Sequence, residues 1–158
     1  MRITEIKTYV LVADNADVSL TSSAQDTILV EIYTDEGIVG YGETDTNPWV
    51  AKALIDSPGT HTMDQSMKDI LVGKDPLSVE ERWEELYIGT AMTGRRGAGV
   101  NAIGAIDMAL WDIKGKYENK PVYQLLGGNV HENITPYASL QPLGLSLIHI
   151  SEPTRHDQ

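Results

Sequence analysis

Apolar residues fall in short β-branched and aromatic runs up to Glu43, and at helical spacing from Thr62 onward. Ile3, Ile6, Tyr9, Val10, Leu11 and Val12 predict a strand over residues 3–12, bounded by the turn-like Asp14-Asn15. TILVEIYT, residues 27–34, predicts a second strand, and IVGYGE, residues 38–43, predicts a third. Asp35-Glu36-Gly37 joins them, and two β-branched runs around a short glycine-containing turn are a strong hairpin signal. Two polar stretches without periodicity, residues 13–26 and 44–49 (TDTNPW), read as loops at either side of that hairpin.

The period then lengthens. Met63, Met67, Ile70 and Leu71 predict a helix over residues 62–72, ended by Gly73. Ser78 with Glu81 three residues on predicts a capping box, opening a helix through Val79, Trp83, Leu86 and Tyr87. Ile103, Ile106, Leu110 and Ile113 make one stripe and predict a long helix over about residues 100–116. Pro121 suits the first position of a short helix, PVYQLL, closed by Gly127-Gly128. ITPYASL, residues 134–140, alternates like a strand but has no later strand to pair with in order. Three antiparallel strands followed by a helical bundle is an α+β arrangement.

Composition narrows the picture. A chain of 158 residues accommodates one domain with a real core and not two comfortable ones. The hydrophobic share of 41% and charged share of 22% are ordinary for a globular protein. No apolar run approaches the ~20 residues that span a bilayer, and MRITEIKTYVLVADN lacks the organisation of a secretory signal. The absence of Cys removes disulfides and thiolate metal sites and fits a cytoplasmic protein. A net charge of −11 argues against nucleic acid as a partner, so an anionic ligand would need a local basic cluster.

Candidate chemistry is sparse. His61, His131, His149 and His156 are scattered without metal-ligand spacing and are expected to be surface residues. No phosphate-binding glycine loop and no nucleophile elbow is present. Asp107 and Asp112 lie five apart on the long helix, too far round it to share a face, so each is expected to cap or pair locally. Arg95-Arg96 is the one adjacent basic pair, flanked by glycines that keep the backbone approachable. It can hold a carboxylate by bidentate hydrogen bonds, or it can serve helix carbonyls and acidic neighbours. Both readings stand at this point.

ILVEIYTDEGIVGYGE, LVGKDPLSVEERWEELY and GAGVNAIGAIDMALWDIKGKYENKPVYQLLGG follow one another in the order and spacing of a known group. Over residues 1 to about 143 the chain resembles the mandelate racemase and muconate lactonizing enzyme group of the enolase superfamily, most specifically over residues 95–128. The resemblance implies an α+β capping domain followed by a modified β/α barrel. In that barrel three acidic residues hold magnesium, Lys or His bases remove the proton α to a carboxylate, and the metal stabilises the enediolate. It also implies that the loops at residues 13–26 and 44–49 close over the barrel mouth, exclude water and set specificity. Ser22, Asp45, Thr46 and Trp49 are the substrate-binding candidates on them.

GRRG ahead of AIDMALWDIKGK resembles the acid-sugar dehydratases of the group. These act on aldonates or aldarates, removing the α proton and eliminating the β hydroxyl to leave a 2-keto-3-deoxy sugar acid. Arg95 or Arg96 would hold the distal part of such a substrate. Cycloisomerases and racemases of the group are the alternative, and a stand-alone binding module is another. Homo-oligomers occur in the group and are possible here.

The expected organisation is a capping domain over residues 1–128, a linker and first barrel strand over 129–144, and a tail over 145–158. The stretch beyond Ile134 is far shorter than the roughly 250 residues of a β/α barrel. The chain alone is therefore expected to be a truncated piece, with no catalytic residue and no metal ligand, binding no magnesium and turning nothing over. LSLIHISEPTR, residues 145–155, is also what a transposon-end library adapter yields when read as coding sequence, and is expected to be foreign to the native protein.

Overall fold

The computed structural model describes residues 1–19, 25–94, 96–128, 131 and 133–136. Met1–Gly128 forms one unit with its own core. In it β1 (Ile3–Val12), β2 (Asp26–Thr34) and β3 (Val39–Thr44) make a three-stranded antiparallel sheet in sequence order. The two-residue period of a strand turns Ile28, Val30 and Ile32 to one face, and all three are fully buried. β1 matches them in register, with Ile6 opposite Ile32 and Thr8 opposite Val30. Gly37, at φ +80°, makes the hairpin turn in a conformation that L side chains avoid.

Five helices follow: α1 (Pro48–Asp56), α2 (Met67–Leu71), α3 (Val79–Gly89), α4 (Ala98–Glu118) and α5 (Val122–Leu125). α4 lies on the inner face of the sheet. Its stripe of Ile103, Ile106, Leu110 and Ile113 is at most 1% exposed, and burying each such side chain contributes about 1.5–3 kcal/mol. The α+β reading therefore describes the fold.

One feature sets the direction of α4. A Cβ on Gly42 would stand 1.9 Å from the Ala105 carbonyl oxygen, and one on Gly40 would stand 2.1 Å from that of Ala109. Strand glycines at these positions let the helix backbone come into direct contact with the strand. The same pairing recurs at the edge, where the Tyr41 N–H donates to Asp112 Oδ2 at 2.9 Å and Lys116 Nζ donates to the Val39 carbonyl at 2.7 Å. Residue numbers rise along β3 as they fall along α4, so the two run antiparallel.

Several local expectations change. The loop after β3 ends at Asn47, because Pro48 and Trp49 already belong to α1, a helix that periodicity alone did not reveal. The Asn47 side chain accepts from the Val50 N–H at 3.2 Å, and Pro48 occupies a first-turn position, which together start the helix. The helix expected over residues 62–72 shrinks to Met67–Leu71, capped by Ser66. Ser78 precedes α3 without a side-chain capping bond, and the Glu81 carboxylate pairs with Arg82 at 2.7 Å instead of reaching back to it. α4 starts two residues earlier than expected and runs to Glu118, and Pro121 caps α5 rather than entering it. Of the strand expected over residues 134–140, the described part, residues 134–136, forms no strand. The remainder lies outside the described residues, as does the expected foreign tail.

Candidate functional site

Three connections leave the domain at one end. Val12 pairs with Asp26 and Ile28 pairs with Thr44, so β1 ends, β2 begins and β3 ends on the same side of the sheet. The connections at residues 13–25 and 45–47 both start there. α4 runs the other way, and its N-terminus reaches that side too. From Gly42 to Thr44 the strand advances about 7 Å, while from Ala105 back to Ala98 the helix covers about 10 Å. Asp45, Thr46, Trp49 and Arg96 are thereby gathered on one rim. Ser22 and Arg95 lie outside the described residues.

The described ends of the first connection, residues 13–19 and Gln25, are tied to each other by backbone and side-chain bonds. Ala13 N–H donates to the Gln25 carbonyl at 2.7 Å, and Asp17 N–H donates to Gln25 Oε1 at 2.6 Å. Ser19 donates both its hydroxyl and its N–H to Asp17 Oδ1, and these bonds hold the Asp17 carboxyl below the usual carboxylate range. Beside it lies an open cavity of about 430 Å³ lined by Leu11, Val12, Gln25, Thr27 and Glu43 among others. Thr27 Oγ1 donates to Glu43 Oε2 at 3.1 Å. Glu43 and Thr27 did not stand out in the sequence, although the hairpin register, with Glu43 opposite Leu29, makes them diagonal neighbours on one face. The second connection is three residues long, with Asp45 exposed, Thr46 half-buried and Trp49 58% exposed on the first turn of α1. A rim of hydroxyls, a carboxylate and an open indole suits hydrogen bonding and stacking against a small polar ligand.

Arg96 stands on a short glycine loop ahead of α4. Gly94 and Gly97 take φ of +124° and +63°, and a Cβ on Gly99 would stand 2.0 Å from the Gly94 carbonyl oxygen. The loop is therefore seated against the first turn of the helix. Arg96 is exposed and makes no hydrogen bond or ion pair with any described residue. Helix carbonyls and acidic neighbours do not occupy it there, which leaves its five donors open to a ligand.

Of the two aspartates on α4, Asp112 pairs locally as expected and Asp107 does not. Asp112 pairs with Lys116 at 2.6 Å as well as with Tyr41 N–H. Asp107 is half-buried without a partner among the described residues, and burial, with the nearby Glu80 charge second, pushes its carboxyl up. His61 Nδ1 accepts from Met63 N–H at 3.2 Å, and His131 is exposed. Among the described residues no three His, Asp or Glu side chains converge as a metal site. No described helix is long and apolar enough to cross a membrane.

Comparison with known proteins gives a consistent result. Residues 6–127 match the family model described as the N-terminal domain of mandelate racemase / muconate lactonizing enzyme. A D-galactonate dehydratase family member from Streptomyces bingchenggensis is 40% identical over 135 residues, covering 83% of this chain and 30% of that protein. Arabinonate dehydratase from Saccharolobus solfataricus is 35% identical, covering 80% of this chain and 35% of that protein. Among solved structures, the 3,6-anhydro-D-galactonate cycloisomerase from Zobellia galactanivorans superposes with a TM-score of 0.66 at 34% identity, over 81% of this chain and 32% of its own. The chain thus spans about a third of the length of these relatives.

Proposed function

This chain belongs to the mandelate racemase / muconate lactonizing enzyme family through its N-terminal capping domain, and from that premise we propose that it is the cap of a magnesium-dependent acid-sugar dehydratase. The supporting observation is the shared rim: the antiparallel packing of β3 and α4 sets both loops and the Arg96 loop at one end. There they cover a sugar acid bound in a barrel beyond the described residues. Asp45 and Thr46 hydrogen-bond hydroxyls, Trp49 packs on the carbon chain, and Arg96 holds the distal part of the substrate. Ser22 and Arg95 complete the set.

The described residues do not fit magnesium, since no three acidic or imidazole side chains converge. The metal belongs to the barrel, with the bases, and no step on it involves these residues. What the cap supplies is orientation and exclusion of water from the reacting carbon. By this reading residues 1–128 are the cap, 129–144 lead into the barrel and 145–158 are foreign to it.

The test is to recover the native locus and assay the full-length enzyme against aldonates and aldarates, following the 2-keto-3-deoxy product. Elimination on one of them, about tenfold or more weaker in kcat/KM when Arg96 becomes Ala, is the expected result. Lactone isomerisation without ketone formation would replace the dehydratase reading with the cycloisomerase one. An in-frame stop after codon 158 in the genome, with the same tail, would end the cap reading in favour of a stand-alone module.

A further inference from the structure

The segment between α1 and α2 does something that neither its sequence nor the rim explains. Residues 60–65 fold back as a strap. Thr60 N–H donates to the Asp64 carbonyl at 2.8 Å and Asp64 N–H donates to the His61 carbonyl at 3.0 Å, closing the strap on itself. Gly59 sits at its base, where a Cβ would stand 2.8 Å from the Ser66 nitrogen. Both edges of the strap then attach to the end of α3 and the turn beyond it. Gln65 N–H donates to the Gly89 carbonyl at 2.8 Å, and Met92 N–H donates to the Met63 carbonyl at 2.9 Å.

The side chain at its centre makes the last attachment. Asp64 Oδ1 accepts from Thr93 Oγ1 at 2.6 Å, while Oδ2 accepts from Thr60 Oγ1 at 2.8 Å. Both carboxylate oxygens are thus committed, one inward to the strap and one outward to Thr93. Thr93 is the residue before Gly94, and the Gly94 carbonyl is the group seated against Gly99 at the start of α4. The loop carrying Arg96 is therefore fixed at its entry by Asp64 and at its exit by α4. Thr93 N–H also donates to the Thr90 carbonyl at 3.0 Å, so Asp64 adds a side-chain tie to a turn closed by backbone, and beyond it Gly94 and Gly97 at positive φ add little stiffness.

We propose that Asp64 is a positioning residue for Arg96: through Thr93 it fixes the entry of the glycine loop and so sets where the guanidinium stands. Its value to substrate binding rests on the function proposed above, but the positioning itself does not. A hydrogen bond to a charged acceptor carries enough energy to matter for a short loop and too little to decide the whole fold. Asp64 makes no contact with a ligand in this scheme. It acts on one through the loop.

Limited trypsin digestion of this chain reads the effect directly, with fragments identified by mass. The Arg96–Gly97 bond reports the loop, while Lys7–Thr8 in β1 and Lys114–Gly115 in α4 report opening of the whole domain. In Asp64→Ala and in Thr93→Val, cleavage at Arg96–Gly97 is expected to rise about tenfold with the two core bonds unchanged. Thr93→Ser, which keeps the hydroxyl, restores the parent rate. The double variant is expected to equal Asp64→Ala, because Thr93→Val removes only a bond that Asp64→Ala has already removed. An unchanged rate at Arg96–Gly97 in both single variants overturns the proposal. So does acceleration of all three bonds together, since that describes a general prop rather than a positioning contact. Neither result bears on the sugar-acid assay, so the two readings fail separately.

Discussion

Gly42 of β3 and Ala105 of α4 meet backbone to backbone, leaving a space that a single methyl group would overfill: its Cβ would stand 1.9 Å from the Ala105 carbonyl oxygen. Gly42→Ala must therefore push helix and strand apart. An expected loss of about 3 kcal/mol would show as a lower urea midpoint. Gly104 gives the contrast, because nothing lies within 4 Å of the Cβ it would carry inside the helix. Gly104→Ala should gain up to about 1 kcal/mol.

Arg82 is a buried cation, its side chain 6% exposed between Glu81 at 2.7 Å and Glu85 at 2.8 Å. Glu85 also takes Lys74 at 2.7 Å, tying α3 to the turn after α2. Removing one partner of a buried ion pair costs 3–5 kcal/mol in full burial. The remaining Glu81 and the partial exposure of Glu85 reduce this to about 2 kcal/mol for Glu85→Ala. Chemical denaturation at neutral pH measures it. Arg82→Met, which leaves no buried charge, should cost less than Glu85→Ala.

Asp56 joins three elements, accepting from Thr8 of β1, Lys52 of α1 and Lys68 of α2. Burial alone raises its carboxyl, but hydrogen bonds from Lys52, Lys68 and Thr8 outweigh that and hold it below the ordinary value of 3.8. A depressed folded value stabilises the domain above the unfolded one and loses that contribution as pH falls through the folded one. Asp56→Asn should cost on the order of 1 kcal/mol at pH 7, given solvent screening of the exposed part. Denaturation series across pH should show the gap between parent and variant closing below 3.8.

Asp107 has the opposite sign. Burial and the Glu80 charge raise its carboxyl above 3.8, so ionising it costs the folded state stability. The penalty is absent below the unfolded value and complete above the folded one. Asp107→Asn is expected to raise the thermal midpoint at pH 7 by the equivalent of a few tenths of a kcal/mol, after allowing for its exposed half. Near pH 3 the two proteins should melt together.

Local patterns carried the hairpin and α4 because both are long, and each repeats its signal several times. α1 depended on Asn47 and Pro48 alone, and the same two residues are also loop formers. Met63 fits the helical period with Met67 and Ile70, yet the chain leaves the helix there because Asp64 is taken by Thr93, 29 residues away. Glu81 was similarly diverted from Ser78 by Arg82. Such competition depends on partners distant in sequence, which spacing cannot show. The gathering of Asp45, Thr46, Trp49 and Arg96 was hidden for another reason. It follows from the direction of α4, and that direction is written in two strand glycines that read locally as part of a hairpin.

The direct seating of β3 on α4 also separates two kinds of change. Residues packed at that seam tolerate almost nothing, while the described rim residues Asp45 and Arg96 stand exposed outside it. Lengthening a rim segment, or altering its charge, costs only the modest entropy of a longer surface loop. A lineage inheriting this domain can therefore vary that edge by insertion and recharging, and keep its stability where it was.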